Sequence, residues 1–236
     1  MTFSLRSFGF ITLPGLLVSA LLVGPTVQAG SITYDFIDAD GGFTAGGETG
    51  AGQPWFWNST LGQWEVPQSL GGTSGTSTLA TPSVTADGSL LTLAFTHERD
   101  FDGNPAGTGI EDRGTLQVSI NGGSNQLVGV DIGTFVQGGY TLFLDFIPTN
   151  AWGFTNSGVT SIAEISGLST GDSLAFQWIG SWDCCGVDGD PAWAISSVTI
   201  DGIQSDVTSV PVPGSALLLG LGLGAFGLRQ RHRIRA

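Results

Sequence analysis

Acidic residues recur in this sequence with types and spacing that chemistry could use. The first group is His97, Glu98, Asp100 and Asp102, followed after a glycine-rich stretch by Glu111 and Asp112. Alternate side chains of an extended strand share a face, so Glu98, Asp100 and Asp102 would form a carboxylate row, and glycoside hydrolysis uses paired carboxylates. Calcium binding, or a solvated turn held by side-chain hydrogen bonds, explains the same residues.

A second group combines the two cysteines with three acids: Asp183, Cys184, Cys185, Asp188 and Asp190. Adjacent Cα atoms lie about 3.8 Å apart, closer than in ordinary disulfides, so a bridge between these neighbours would be strained. The alternatives are free or intermolecular thiols, or metal ligation by thiolates, although no His or Cys partner has zinc spacing. The three aspartates are calcium candidates, without the spacing of an EF-hand.

Aromatic residues are the third feature. The chain has seven tryptophans, and Trp55, Trp57 and Trp152 fall in expected loops. If exposed, these three would form a flat platform of the kind that stacks on sugar rings. The alternative is that their loops pack onto the fold and bury them.

Charge restricts the possible partners. Between the terminal segments the chain keeps two arginines and no lysine against twenty acidic residues, an excess of eighteen negative charges. Such a surface cannot neutralise phosphates, which excludes nucleic-acid binding. It can attract calcium, and Asp38 and Asp40 add candidate ligands to the three aspartates above.

The elements that must position these residues are predicted to be β-strands. Short runs alternate between apolar and polar residues, and Gly, Asn, Asp and Ser interrupt them about every ten residues. Asn121-Gly122 favours a hairpin over 116–128, and Asp38–Gly75 is expected to be a long loop or irregular strands. The pattern predicts an all-β, antiparallel jelly-roll β-sandwich. Its strands are expected at 32–37, 76–79, 89–96, 114–120, 126–132, 140–147, 159–165, 173–181 and 192–200.

Both ends of the chain resemble targeting signals. Residues 1–29 have one early arginine, an apolar core and small residues before Ala29, which predicts a signal peptide cleaved there; a retained anchor is the alternative. Residues 209–236 contain a proline motif and an apolar run, predicted to be a single helix, and end in a basic tail that should stay cytoplasmic. Residues 30–208 then form one exported domain. The motif is Val210, Pro211, Val212, Pro213 and Gly214, and the basic tail contains Arg229, Arg231, Arg233 and Arg235.

This three-part tail resembles the PEP-CTERM sorting signal of Gram-negative bacteria. The resemblance implies processing by an exosortase-type membrane enzyme and delivery to the cell envelope, cell surface or extracellular matrix. Val212 stands where the family has Glu. This departure affects the expectation that the enzyme cleaves at the motif, and not the expectation that the segment reaches the membrane. An ordinary C-terminal anchor is the alternative.

Three stretches of the body resemble secreted jelly-roll modules of the MAM and immune-inhibitor type. They are Phe95–Phe101, Asp112–Gly123 and Trp193–Ile200, the last with Ser196 and Ser197 where the family usually has two Asp. The resemblance is a pattern of strands and turns, so it bears on fold rather than activity. Two functions from different classes follow. One is a non-catalytic surface or matrix protein linked to adhesion or extracellular polysaccharide; the other is a secreted polysaccharide hydrolase acting through Glu98, Asp100 and Asp102.

Overall fold

The computed structural model describes residues 29–50, 52–67, 74–101, 112–140, 142–144, 147–153, 155–182 and 191–204. The sorting segment 209–236 and, except for Ala29, the signal peptide lie outside these residues. No helix within them is long and apolar enough to cross a membrane.

The described residues form fifteen strands. In chain order they are β1 (Ala29–Tyr34), β2 (Thr44–Thr49), β3 (Phe56–Asn58), β4 (Gln63–Val66), β5 (Gly75–Ala80), β6 (Val84–Thr85), β7 (Leu90–Asp100), β8 (Arg113–Ile120), β9 (Gln126–Leu127), β10 (Thr134–Gln137), β11 (Leu142–Leu144), β12 (Ile147–Ala151), β13 (Thr155–Ser166), β14 (Ser173–Trp182) and β15 (Trp193–Gln204).

Two antiparallel sheets pack against each other. The seven-stranded sheet has the order β10-β13-β7-β15-β4-β3, with β1 also paired to β15, and the six-stranded sheet has the order β2-β5-β14-β8-β9, with β6 paired to β14. Strands β11 and β12 form a separate pair. The prediction of an all-β sandwich is therefore confirmed.

Alternation along the long strands builds the core. In β7 the side chains of Leu91, Leu93 and Phe95 point inward and are buried, while their neighbours are partly exposed. Strand β14 alternates in the same way and places Trp178 inward. The Phe95 and Trp178 rings meet edge to face with centroids 5.4 Å apart, which joins the two sheets.

The hairpin expected around Asn121-Gly122 is confirmed. Strands β8 and β9 pair antiparallel. Asn121 and Gly122 have φ angles of 54° and 67°, and the Gly123 N–H donates to the Ile120 carbonyl at 2.9 Å. Two positive φ angles in succession define a type I′ turn, which matches the twist of the strands it joins.

The segment Asp38–Gly75 contains strands as well as loops. Strands β3 and β4 form a hairpin at one edge of the seven-stranded sheet, and β2 lies at an edge of the other sheet. Within the hairpin, the Trp57 indole N–H donates to the Phe36 carbonyl and that of Trp64 to the Asp40 carbonyl, each at 3.0 Å. These two bonds hold the preceding loop against the hairpin.

Candidate functional site

Two of the three residues in the predicted carboxylate row share one face of β7. Inward-facing His97 and Arg99 alternate with partly exposed Glu98 and Asp100, which therefore lie on the outer face of the seven-stranded sheet. Residues two apart along a strand are separated by about 6.6 Å. Asp102 lies outside the described residues, as does Glu111.

Glu65, which is not among the predicted site residues, faces outward in one row with Glu98. Ala194 of β15 lies in register with Glu98 of β7 on one side and with Glu65 of β4 on the other. The two glutamates thus face outward in one row, with about 10 Å between their Cα atoms because adjacent strands lie about 4.8 Å apart. The local sequence around Glu65 gives no sign of this pairing.

Glu65 is held by two side-chain amides. Asn58 Nδ2 donates to both carboxylate oxygens, at 3.1 and 3.2 Å, and Gln63 Nε2 donates to Oε1 at 2.6 Å. Only 5% of the Glu65 surface is exposed. These bonds satisfy an enclosed carboxylate, which would be costly to bury without partners.

The turn of the β3–β4 hairpin fixes the position of Asn58. Its Oδ1 accepts the backbone N–H groups of Thr60 and Leu61 at 3.1 and 3.2 Å, and Gly62 supplies a φ of 64°. With both ends of its amide engaged, Asn58 keeps its nitrogen toward Glu65.

An exposed aromatic ring lies beside this network. Phe56 is in register with Glu65 and is 43% exposed. Directly paired residues of an antiparallel ladder have Cβ atoms about 5 Å apart on the same face. We define the hairpin site as Phe56, Asn58, Gln63 and Glu65 of this hairpin together with Glu98 of β7.

The condition for a platform of Trp55, Trp57 and Trp152, that all three rings are exposed, is not met. Trp55 is 3% exposed and Trp152 is fully buried, while Trp57 is half-buried and packs against the core. Trp152 makes edge-to-face contacts with the rings of Phe95 and Tyr140, and its indole N–H donates to the Gly138 carbonyl at 3.0 Å. Burial of these large rings in the sandwich, the alternative stated above, stabilises the fold instead.

His97 belongs to the core rather than to a solvent-facing cluster. The Trp193 indole N–H donates to His97 Nδ1 at 3.1 Å, so Nδ1 is an acceptor and the ring proton is on Nε2. His97 Nε2 lies 2.9 Å from Ser161 Oγ, whose own proton goes to the Gly138 carbonyl. Burial, with a contribution from the nearby Arg99 charge, lowers the pKa of His97 to about 3. The imidazole is therefore neutral at physiological pH.

Arg99 and Asp112 are buried as well. The Arg99 Nε–H donates to the Gly153 carbonyl at 3.2 Å, and burial lowers the pKa of Arg99 to about 10, which leaves it charged at neutral pH. Asp112 is almost completely enclosed. Neither His97 nor Asp112 therefore stands with Glu98 and Asp100 on the outer face.

The candidate calcium ligands Asp38 and Asp40 lie in the loop before β2. Asp40 Oδ1 accepts the Gly42 N–H at 2.9 Å, which assigns this carboxylate to a local turn. Over the described ranges, no three His, Cys, Asp or Glu side chains are grouped so that they could hold a metal ion. The other candidate ligands, Asp183, Asp188 and Asp190, and the cysteines Cys184 and Cys185 lie outside those ranges.

Comparison with known proteins gives no family. No family model matches the chain, and no curated protein matches it. A crystal structure of the Podospora anserina GH26-CBM35 β-(1,4)-mannanase is similar with a TM-score of 0.31 and 16% identity, over 77% of this chain and 29% of the mannanase chain. The N-terminal cellulose-binding domain of Cellulomonas fimi β-1,4-glucanase C has a TM-score of 0.30 and 18% identity, over 72% of this chain and 90% of that domain. At these TM-scores the likeness carries no argument about function.

Proposed function

We propose that this protein is an exported, non-catalytic jelly-roll protein of the cell surface or extracellular matrix, and that it binds polysaccharide through the hairpin site. One observation carries the binding proposal. An exposed phenyl ring, Phe56, lies on the outer face of the seven-stranded sheet beside an ordered network of two side-chain amides and the Glu65 carboxylate.

This combination suits a sugar. The apolar face of a sugar ring packs on an aromatic ring, and its hydroxyl groups need hydrogen-bond partners in fixed positions. In the hairpin site the Asn58 and Gln63 amides are already oriented by Glu65. Groups ordered before binding reduce the entropic cost of association.

Export and sorting are proposed from the terminal segments. Residues 1–29 direct export, and residues 209–236 bring the protein to the membrane, where an exosortase-type enzyme processes it. Calcium is a proposed ligand of the acidic loops, so the binding experiment includes it.

A polysaccharide hydrolase is the second candidate, and the row Glu65–Ala194–Glu98 is the observation that favours it. Two carboxyl groups on one face are what glycosidases require. The non-catalytic function is preferred because Glu65 is enclosed and bound by two amides, so it orients its neighbours rather than reaching a glycosidic bond.

The test is a glycan array with the purified protein, in calcium and in EDTA, followed by affinity electrophoresis in gels containing each retained polysaccharide. We expect Phe56→Ala to weaken binding about tenfold, the upper range for loss of a ring contact. Val136→Ala, which truncates an exposed apolar side chain on the distant edge strand β10, is the matched control and should bind normally.

Three outcomes would contradict the proposal. Failure to retain any glycan would remove the binding function. Equal loss of binding in both variants would remove the hairpin site. New reducing ends from a bound polysaccharide, abolished by Glu98→Gln, would replace the non-catalytic function with hydrolysis.

A further inference from the structure

The hairpin site presents hydrogen-bond acceptors rather than donors. Gln63 donates its Nε2 to Glu65, so the amide oxygen of Gln63 takes no part in that hydrogen bond. Asn58 uses its oxygen for the turn and its nitrogen for Glu65. Glu98 and Glu65 are acceptors when ionised. A ligand here gains most by supplying donors.

The face around the site carries negative charge. In the part of the chain that the structure describes, five carboxylates lie on the outer face of the seven-stranded sheet. Glu65 is enclosed, and the other four are partly or fully exposed: Glu98, Asp100, Glu164 and Asp201. The described residues include two arginines; Arg99 is buried among core residues, and Arg113 belongs to β8 in the other sheet. Among the described residues, therefore, neither arginine side chain lies on the outer face.

The acceptors and the negative charge of this face predict different affinities for anionic, cationic and neutral polysaccharides. A uronic acid or sulfated polymer would bring further anions to a face of anions, and like charges in apposition oppose binding. A polymer with free amino groups brings ammonium ions, each with three donors and no acceptor, to a surface of acceptors. A neutral polymer has the ring contact and the hydroxyl groups but no charge attraction.

We propose that the polysaccharide bound at the hairpin site is a hexosamine polymer with free amino groups. This inference rests on the proposed function. The Phe56 ring packs against a sugar ring, and Glu98, partly exposed, accepts hydrogen bonds from an ammonium group of the polysaccharide. Glu65, enclosed two strands away from Glu98, orients the two amides and adds to the negative potential.

The experiment compares three oligomer classes of matched length: chitosan oligomers, fully N-acetylated chitin oligomers and oligogalacturonate. Binding is measured by calorimetry in EDTA, at 20 and 200 mM sodium chloride. We expect the chitosan oligomers to bind about tenfold more tightly than the acetylated ones at low salt, since hydrogen bonds to charged groups are about twice as strong as neutral ones. The preference should shrink at high salt, and oligogalacturonate should bind least.

Variants distinguish the site from general attraction to an acidic protein. Glu98→Gln should remove most of the amine preference while the acetylated oligomers still bind. Glu164→Gln, on the same face but six residues further along the strands, removes the same charge and should keep the preference. Phe56→Ala should weaken both amine-bearing and acetylated oligomers.

Other results would overturn the amine preference, its assignment to the hairpin site, or the proposed function. Equal affinity for chitosan and chitin oligomers would overturn the inference and leave the proposed function in place. The same would follow from tighter binding of oligogalacturonate. An equal loss in Glu98→Gln and Glu164→Gln would show attraction to the whole face and overturn the assignment to this site. Failure of all three classes, with no other glycan retained on the array, would overturn the proposed function itself.

Discussion

Lowering the pH from 7 to 5 should destabilise this protein through a single imidazole. His97 is 1% exposed, and its Nδ1 accepts the Trp193 indole N–H. Protonation at Nδ1 would set two donors against each other inside the core. Burial, with a contribution from the Arg99 charge, lowers the pKa of His97 to about 3 in the folded protein, against 6.5 for an unperturbed histidine.

The direction of the effect follows from these two values. Between pH 6.5 and 3 the unfolded chain binds a proton at His97 and the folded protein does not, so stability falls as the pH falls through this window. Each full unit is worth about 1.4 kcal/mol. Between pH 7 and 5 the free energy of unfolding should decrease by about 2 kcal/mol from this residue alone.

The assay is urea unfolding followed by tryptophan fluorescence at pH 7, 6 and 5, for the wild type and His97→Gln. Glutamine keeps one acceptor and one donor for the two neighbours of His97 but does not titrate. The variant is expected to be less stable at every pH and to lack the 2 kcal/mol dependence. The pH dependence that comes from the carboxylates and from the second histidine, His232, is the same in both proteins, so it cancels when the unfolding free energies of wild type and variant are subtracted. His232 lies outside the described residues.

A wild-type free energy of unfolding that varies with pH as little as that of the variant would refute the lowered pKa of His97. An NMR titration gives an independent check, since the His97 imidazole signals of the folded protein should not shift between pH 7 and 5. A midpoint near 6.5 for those signals would show that the ring is accessible to protons.

Four further predictions concern core packing, the C-terminal segment, the cysteine pair and calcium. Gly114→Ala should lower the free energy of unfolding by about 1 to 3 kcal/mol in denaturant, because the new Cβ would lie 2.7 Å from the buried Trp193 ring; Gly88→Ala, with open space around it, should stay within about 0.5 kcal/mol of wild type. Deleting Val210–Ala236 should release the protein from the cell-surface fraction into the medium, and unchanged fractionation would refute the sorting signal. Thiol counting should find no free thiol at Cys184–Cys185 before mild reduction and two after it, so two titratable thiols beforehand would rule out a bridge between neighbours. Millimolar calcium should raise the melting temperature more than sodium chloride of the same ionic strength does. If the two salts raise the melting temperature equally, screening of the negative charges explains the effect and calcium is not specifically bound.

Local patterns determined much of the architecture. Alternation predicted β-strands, and Asn121-Gly122 predicted the β8–β9 turn, because a turn needs only the φ preferences of residues adjacent in the chain. The same alternation, continued from Leu91 through Phe95, also indicates that His97 points inward. Residue type alone groups His97 with the neighbouring acids, whereas its position in the strand places it in the core.

Other features depended on contacts between residues far apart in the chain. Glu65 and Glu98 belong to one row because Ala194, almost a hundred residues further on, lies between them in the sheet. Trp55 is buried against Trp193, and Trp152 is buried among rings of β7, β10 and β15, which the composition of their own segments cannot reveal. The sequence by itself determined that the chain forms strands and which side chains alternate along each one. The tertiary structure decided which strands are neighbours, because pairing order depends on how two whole sheets bury their apolar faces together, and this order places the candidate site at the β3–β4 hairpin.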